Sequence, residues 1–173
     1  MRNNSIRLRP YKPCDGKEVV KWISDEFAYR QWCADILPSF PLSEEQLNKH
    51  YDKFKNADNY WPMTAFNDNG VIGHFIMRFT DTLKRTVRLG FVIVDKSLRG
   101  QGYGKEMLKL AIDFSFNILK VDKITLGVFE NNTPAFYCYK SVGFKEIKED
   151  KEEFYSIMGE KWKCIEMEIV RKI

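Results

Sequence analysis

The chain has 173 residues, of which 44% are hydrophobic and 30% charged, and its formal net charge is +4. These values are typical of a globular protein, and we expect a single domain over residues 1–173. No apolar stretch approaches the roughly 20 residues of a membrane-spanning helix, and the modest, dispersed charge lacks the basic stripe of a nucleic-acid-binding protein.

The first residues, MRNNSIRLRPYK, contain no apolar segment of the kind found in secretion signals. We therefore expect a cytoplasmic protein with no membrane partner. Polar and apolar residues alternate between Ser5 and Tyr11 until a proline interrupts them, which predicts a short first strand.

A first helix is predicted from Asp15, a candidate N-cap, to about Gln31. Val19, Ile23 and Phe27 recur within it at helical spacing. The two prolines of LPSFPLS then interrupt the helical pattern and predict a loop.

A second helix is predicted from a capping box of Ser43 and Gln46 to about Lys55. The two helices and the loop between them are rich in aromatic residues, most of which we expect to build a core over a sheet. These residues are Trp22, Phe27, Tyr29, Trp32, Phe40, Tyr51 and Phe54.

The pattern then changes to that of strands. WPMTAFN and VIGHFIMRF flank NDNG, a strong signal for a β-hairpin turn. RTVRLGFVIV becomes a continuous apolar run, which is typical of a central strand buried on both faces. Gly90 within this run indicates a β-bulge or a close approach of another group to the backbone.

The second half of the chain predicts alternating helices and strands. A helix is predicted over about residues 102–118, a buried strand over Lys123–Phe129, and a short helix over Thr133–Tyr139 that ends near Gly143. FKEIKE and WKCIEMEIV predict a final antiparallel pair. This order of elements predicts a single α/β unit.

The segment RGQGYGK, from Arg99 to Lys105, alternates glycine with other residues between the central strand and a helix. Glycine lets a ligand approach the backbone, and the first turn of a helix offers unpaired N–H groups and partial positive charge. With Arg99 and Lys105 adding two full charges, the segment suits a pyrophosphate. It does not fit a P-loop, because Arg99 and Glu106 stand where that motif needs glycine and Ser or Thr, and it departs from the G-x-G-x-x-G dinucleotide motif.

The four cysteines, Cys14, Cys33, Cys138 and Cys164, form no C-x-x-C pair. Only two histidines could join them as metal ligands. We therefore expect no metal site and no disulfide, but free thiols in a reducing compartment.

Two linked blocks carry a resemblance to a known family. Arg-Gly-x-Gly-x-Gly after an apolar strand resembles the coenzyme A motif of the GNAT superfamily of N-acetyltransferases. VFENNTPAFYCYKSVGF resembles the block that follows it in that superfamily, at Asn132, Ala135, Tyr139, Gly143 and Phe144. On these two motifs, within about residues 87–144, the chain is identified as a member.

The resemblance implies a mixed α/β fold, with a mostly antiparallel twisted sheet, two central parallel strands that splay apart, and helices on both faces. It also implies direct transfer of an acetyl group from acetyl-CoA, the co-substrate, to a primary amine of a small molecule or a peptide N-terminus. The pantetheine arm should bind the central strand like an added strand. The residues implied to bind acetyl-CoA are Val92, Ile93, Val94, Arg99, Gly100, Gln101, Gly102, Tyr103, Gly104, Lys105, Asn132 and Phe136.

Tyr139 stands where the superfamily usually keeps the general acid that protonates the departing thiolate. Many relatives carry a glutamate base on the central strand just before the pantetheine-binding segment. This chain has Val87, Arg88, Leu89 and Gly90 there. The base must therefore come from elsewhere, or water removes the proton of the amine.

Other candidates for the base are weaker. Asp25, Glu26 and Asp35 qualify by region only, and exposed helix charges are the simpler interpretation of each. His74 is expected to be a hydrogen-bonded structural histidine. Cys138 lies next to the implied acid but on another helix face, and no histidine lies nearby in sequence to activate it as a nucleophile.

The acceptor is less well defined by the sequence. The start IRLRPY and the tryptophan-bearing first helix look like the branch that includes ribosomal-protein and polyamine acetyltransferases. An aromatic wall with scattered acids suits an amine held by cation–π contacts. A catalytically inactive acyl-CoA-binding sensor is the alternative to an enzyme, and a homodimer stays open as the assembly.

Overall fold

The computed structural model describes residues 5–148 and 152–172. Within these ranges the strands are β1 (Arg7–Pro10), β2 (Tyr60–Asn67), β3 (Gly70–Phe79), β4 (Thr86–Val94), β5 (Lys123–Phe129), β6 (Lys145–Glu146), β7 (Glu153–Ile157) and β8 (Glu160–Val170). The α-helices are α1 (Gly16–Lys21), α2 (Glu26–Cys33), α3 (Glu44–Asp52), α4 (Tyr103–Asp113) and α5 (Thr133–Ser141). No helix within these ranges is long and apolar enough to cross a membrane.

All eight described strands belong to one sheet. Their order across it is β1-β2-β3-β4-β5-β8-β6, and β7 pairs with another part of β8. Strands β4 and β5 are parallel and are joined through α4, whereas the other pairs are antiparallel. The mostly antiparallel sheet with a central parallel pair is therefore confirmed.

Helices cover both faces of the sheet, as expected. On the face that we call the α4–α5 face, Met107 and Leu108 pack with Leu89 in one hydrophobic core. On the opposite face, the α1–α3 face, Tyr29 and Leu47 belong to a second core. The sheet thus separates a core beneath the C-terminal helices from a core beneath the aromatic N-terminal helices.

Strand β4 contains a β-bulge where it pairs with β3. Gly90 is the partner of Ile76, but Ile93 is the partner of His74, so β4 has one more residue than β3 in this interval. Phe91 has a left-handed φ of 50°, a conformation that an L-residue adopts only at a cost in free energy. The sequence indicated a bulge at Gly90, and the structure places it directly after Gly90, at Phe91 and Val92.

The bulge moves side chains of β4 from one face of the sheet to the other. Val87 and Leu89 belong to the core of the α4–α5 face, whereas Phe91 and Ile93 belong to that of the α1–α3 face. Val92 packs against the first core again. Without the extra residue, strict alternation would keep Phe91 and Ile93 on the same face as Val87 and Leu89.

The prediction of one long first helix is wrong, because α1 ends at Lys21 and α2 begins at Glu26. Asp25 starts the second helix, since its carboxylate accepts a hydrogen bond from the Ala28 amide at 2.8 Å. Asp15 does not act as an N-cap through its side chain. The sequence around Asp15 resembles that of an N-cap, but the carboxylate accepts hydrogen bonds from Arg9 and Thr64 on the sheet.

Other predicted boundaries agree with the structure to different degrees. The capping box of α3 is present in both directions, and β5 has the predicted limits. Helix α4 ends at Asp113 and is followed by one π-helical turn over Phe114–Ile118. Strand β7 was not predicted, and Glu149 of the predicted final pair lies outside the described residues.

Candidate active site

The parallel pair β4–β5 opens into a gap. Its described pairing runs from Thr86 with Lys123 to Arg88 with Thr125 and stops there. Beyond this point both strands continue, and a cavity of about 860 Å³ is lined by residues of each. The predicted splay of the central strands is therefore present, and it creates a space that joins the two faces of the sheet.

One wall of the cavity is the part of β4 that faces the gap. Val92, Ile93 and Val94, which the resemblance implied would bind the pantetheine arm, all line the cavity. On its other side this segment pairs with β3, through Ile93 and Val94. The gap-facing edge has no strand partner among the described β4–β5 pairs, so its backbone groups can bind an extended ligand as an added strand would.

The glycine turn forms the mouth of the cavity at the start of α4. Gly100 and Gly102 have φ values of 74° and 88°, and a Cβ added to either one meets no heavy atom within 4 Å. Gly104 and Lys105 also line the cavity, and Lys105 is exposed. Open space beside left-handed glycines, a helix N-terminus and a lysine fit a diphosphate.

Three other residues of this turn have structural contacts. Arg99 lines the cavity, but its guanidinium donates to the carbonyls of Val94 at 3.2 Å and Trp22 at 3.0 Å. Gln101 donates to the carbonyl of Ser97, and Tyr103 packs against the core of the α4–α5 face. Gln101 and Tyr103 do not line the cavity.

Helix α5 contributes the opposite wall. Tyr139 lines the cavity and is 7% exposed, and burial raises the pKa of its phenol well above the ordinary value. Asn132 also lines the cavity, and its side chain caps α5 by accepting from the Ala135 amide at 3.4 Å. Phe136 packs against the core of the α4–α5 face instead of lining the cavity.

Cys138 also lines the cavity, close to the glycine turn. Its sulfur lies 3.7 Å from the position of a Cβ on Gly104. Burial raises the pKa of the thiol, although Lys105 opposes this. The thiol is therefore a poor nucleophile at neutral pH.

On the α1–α3 face the cavity ends at an aromatic wall. Trp22, Trp32 and Phe91 line it there, and the Trp32 and Phe91 rings lie 5.2 Å apart. The amide of Gln31 donates to Asn131 across the same end. The aromatic composition of the first two helices suggested this wall, but the face change at Phe91 could not be predicted from the sequence.

The carboxylates considered as bases have other partners. Asp25 caps α2, and that hydrogen bond from the Ala28 amide lowers the pKa of Asp25. Glu26 and Asp35 both pair with Arg30. None of the three lines the cavity, which agrees with their simpler interpretation as surface charges.

His74 is a structural residue. It is completely buried, and its Nε2 lies 2.6 Å from the Tyr51 hydroxyl. Burial lowers the pKa of His74 to about 3, so the ring is neutral at physiological pH. It does not line the cavity.

An ion pair that the sequence did not predict lies beside the gap. Both guanidinium Nη atoms of Arg88 donate to the carboxylate of Glu166 on β8, at 2.5 and 2.6 Å. A Cβ on Gly127, which lines the cavity, would lie 2.7 Å from Arg88 and 2.8 Å from Glu166. Arg88 and Glu166 are 78 residues apart in sequence, and no local pattern connects them.

Comparison with known proteins adds an independent observation. The model of the acetyltransferase (GNAT) family matches residues 18–144. This range contains the glycine turn, the gap between β4 and β5, and Tyr139. The chain belongs to the acetyltransferase (GNAT) family.

Curated relatives of this GNAT protein are similar over most of its length. A spermidine N(1)-acetyltransferase of Vibrio cholerae is 26% identical, over 88% of this chain and 86% of the relative. An N-alpha-acetyltransferase 30 of Dictyostelium discoideum is 30% identical, over 71% of this chain and 69% of the relative. The crystal structure of the V. cholerae spermidine N-acetyltransferase in complex with CoA and spermine superimposes with a TM-score of 0.80, at 22% identity, and covers 97% of this chain and 96% of that one.

These findings confirm the family, the fold and the class of activity. This GNAT protein is an acetyltransferase that uses acetyl-CoA as its co-substrate, as the two sequence motifs implied. The named relatives are enzymes, which favours activity over the inactive sensor.

Proposed function

We propose that this protein transfers the acetyl group of acetyl-CoA directly to a primary amine of a small molecule, with Tyr139 as general acid. The observation that carries the proposal is one continuous cavity that passes through the gap in the sheet. The glycine turn, the free edge of β4 and Tyr139 line one part of it, and the aromatic wall lines the other. A donor and an acceptor can therefore meet in the gap from opposite faces.

Each part of the cavity has its own role in this proposal. The amide groups of residues 100–105, with Lys105, bind the diphosphate, and the backbone of Val92, Ile93 and Val94 binds the pantetheine arm. An amide of the β4 bulge stabilises the oxyanion that forms during attack by the amine. Tyr139 donates its proton to the thiolate as the carbon–sulfur bond breaks.

The acceptor proposed for the first test is a polyamine. Two features support it: the aromatic wall, since aromatic faces attract cations, and the similarity to spermidine acetyltransferases. A peptide N-terminus is the second candidate, and the similarity to an N-alpha-acetyltransferase supports it. We further propose that residues 1–173 act as one domain in the cytoplasm, where four free thiols are typical.

The test is a thiol-release assay with acetyl-CoA and panels of polyamines, amino acids, aminoglycosides and peptides. Release that depends on an amine, with the acetylated product identified by mass spectrometry, is the expected result. Tight binding of acetyl-CoA by calorimetry, without transfer to any of these amines, would instead support the sensor.

A further inference from the structure

We propose that Glu166 is the residue that binds the acceptor's amine, and that Arg88 holds its carboxylate at the gap. The inference rests on the proposed function, because it assigns a residue to the acceptor of that reaction. It concerns a carboxylate of β8, outside both sequence motifs. The expected ligand is a primary amine that arrives as an ammonium ion.

The position of Glu166 follows from the sheet register. Arg88 is the partner of Thr125 where the β4–β5 pairing ends, so Gly90 and Gly127 face each other across the gap, and both line the cavity. On β8, Glu166 is the partner of Gly127. Its carboxylate lies where a side chain of Gly127 would be.

Glu166 and Arg88 are not themselves among the residues that line the cavity, but Gly127, the strand partner of Glu166, is. The position of Glu166 therefore borders the reacting part of the cavity. Val92, on the gap-facing edge of β4, is two residues beyond Gly90, which is about 7 Å along a strand and less across a bulge. Once water has removed one proton from the ammonium ion, the neutral amine can donate a hydrogen bond to Glu166 and direct its lone pair towards a group held beside Val92. Glycine at position 127 leaves the space that this arrangement needs.

The charges near Glu166 are arranged unevenly. Arg88 and its β3 partner Arg78 place two positive charges on one side. Glu153 lies on the other side, and its carboxylate, that of Glu166 and the Cys164 sulfur lie within 4.8 Å of one another. Negative charge therefore concentrates towards β7 and β8, where an ammonium ion would be stabilised.

Glu166 also keeps capacity to bind a ligand. A carboxylate has about four acceptor sites. Arg88 uses one on each oxygen, and the Cys164 thiol, at 3.8 Å, uses a second one on Oε1, so one site on Oε2 stays open. The side chain of Glu166 is 12% exposed. The bidentate pair fixes the carboxylate in place before the acceptor arrives, which reduces the entropy lost on binding.

The test compares Glu166→Gln with Glu168→Gln by steady-state kinetics, using an amine accepted by the wild type. Glu168 is the matched control, because it is on the same strand and pairs with Lys123 on β5, at the paired end of the gap. Glu166→Gln should raise the KM of the amine about tenfold or more, the loss expected for a charge-assisted hydrogen bond. The KM of acetyl-CoA should stay within twofold in both variants.

A second measurement separates this role from a structural one. Added salt should raise the amine KM of the wild type and leave that of Glu166→Gln nearly constant, since salt screens the attraction between carboxylate and ammonium. Arg88→Gln/Glu166→Gln, in which two amides can pair, should recover any lost stability but not the amine KM. An amine KM of Glu166→Gln equal to that of Glu168→Gln would overturn the inference, whereas a wild type that acetylates no amine would overturn the proposed function itself.

Discussion

Tyr139 illustrates how a single side chain can be assigned a role from its environment. It is almost completely buried, it lines the cavity, and its ring lies 6.2 Å from that of Phe144 in an edge-to-face arrangement. Tyr137, on the same helix, also lines the cavity but is 62% exposed. Of the two phenols, only that of Tyr139 is held in a fixed, water-poor place.

We expect Tyr139→Phe to lower kcat by about 10²-fold, because it removes the proton donor while keeping the ring. The affinity for acetyl-CoA, measured by calorimetry, should change little. Tyr137→Phe provides the control and should leave kcat close to that of the wild type. Equal kcat values for Tyr139→Phe and the wild type would remove Tyr139 from the acid role.

The same residue leads to a prediction about pH. Burial raises the pKa of Tyr139, so its phenol stays protonated to a higher pH than a tyrosine in water. Loss of the acid should therefore not limit kcat between pH 6 and about pH 10, the ordinary pKa of tyrosine. If kcat fell near pH 8 in the wild type and this fall were absent in Tyr139→Phe, the raised pKa of Tyr139 would be contradicted.

Sequence motifs pointed to the glycine turn and to Tyr139, but not to Glu166. The glycine turn and Tyr139 belong to contiguous patterns, because a diphosphate is bound by consecutive amides at a helix start. Glu166 is placed beside Gly127 and Arg88 only through the pairing of β8 with β5 and its ion pair with Arg88. Such a contact depends on strand order, which no local spacing encodes.

At the scale of elements, the turn before α4 has the backbone conformation that best fits the proposed diphosphate. We expect Gly102→Val to abolish acetyl-CoA binding, because its φ of 88° is unfavourable for valine and the new side chain would enter open cavity space. Calorimetric titration with acetyl-CoA measures the effect.

The control for this variant is Gly159→Val, in the turn between β7 and β8. Gly159 has a φ of 78°, and a Cβ added to it would also have no heavy atom within 4 Å, but it does not line the cavity. Both variants should lose similar stability, about 1–2 kcal/mol. Similar acetyl-CoA affinities for the two variants would show that strain, not the blocked cavity, explains the loss.

One substitution in the turn between β7 and β8 should raise the stability of the protein. Met158 and Gly159 have φ values of 52° and 78° and connect the two strands as a two-residue turn, and asparagine is favoured at the first position of such a turn. Met158→Asn should therefore stabilise the protein by about 0.5–1 kcal/mol, because asparagine adopts the left-handed conformation at a lower cost than methionine. Chemical denaturation measures the gain, and a loss of stability would mean that the exposed methionine makes a useful contact.

The elements that the sequence did not predict were missed for two different reasons. Strand β7 was missed because Met158 followed by Gly159 lacks the Asn-Gly signal that identified the hairpin between β2 and β3. The break between α1 and α2 was missed because the apolar spacing continues across it. At the turn before β8 the tertiary structure imposes a left-handed φ that Met158 only tolerates. At the helix break the overlooked signal was local, since Asp25 caps α2.

At the scale of the whole molecule, Asp15 joins the N-terminal strand to the rest of the fold. Its carboxylate forms a bidentate pair with Arg9 of β1 and accepts hydrogen bonds from the Lys12 amide and the Thr64 hydroxyl of β2. Asp15 is 2% exposed. Its structural role, not the capping role predicted from sequence, explains a buried acid at this position.

We expect Asp15→Asn to lower the free energy of unfolding by about 3 kcal/mol, because Arg9 would keep a largely buried charge without its partner. Asp68→Asn is the control: its pair with Arg7 is exposed, and such pairs contribute at most about 1 kcal/mol. Urea denaturation measures both. Equal losses in the two variants would contradict the structural role of Asp15.

The same pair predicts how stability depends on acidity. Burial alone would raise the pKa of Asp15, but the hydrogen bonds from Arg9, Lys12 and Thr64 outweigh it and lower the pKa. A carboxyl with a lower pKa in the folded state stabilises the protein fully above its unfolded value, about pH 4. This stabilisation is lost as the pH falls through the folded value, and Asp15→Asn should lose less stability there than the wild type.

One sheet, with a gap between β4 and β5, divides the protein into two cores, and this division has an evolutionary consequence. Substitutions in the helices over the N-terminal core can change the aromatic wall, which we propose contacts the acceptor, without repacking the core on the side proposed to bind acetyl-CoA. The two halves meet mainly at the opening, where Phe91, Gly127 and Arg88 leave little tolerance for change. Substitutions that change the acceptor specificity should therefore accumulate in α1, α2 and α3. Phe91, Gly127 and Arg88, at the gap, should change least.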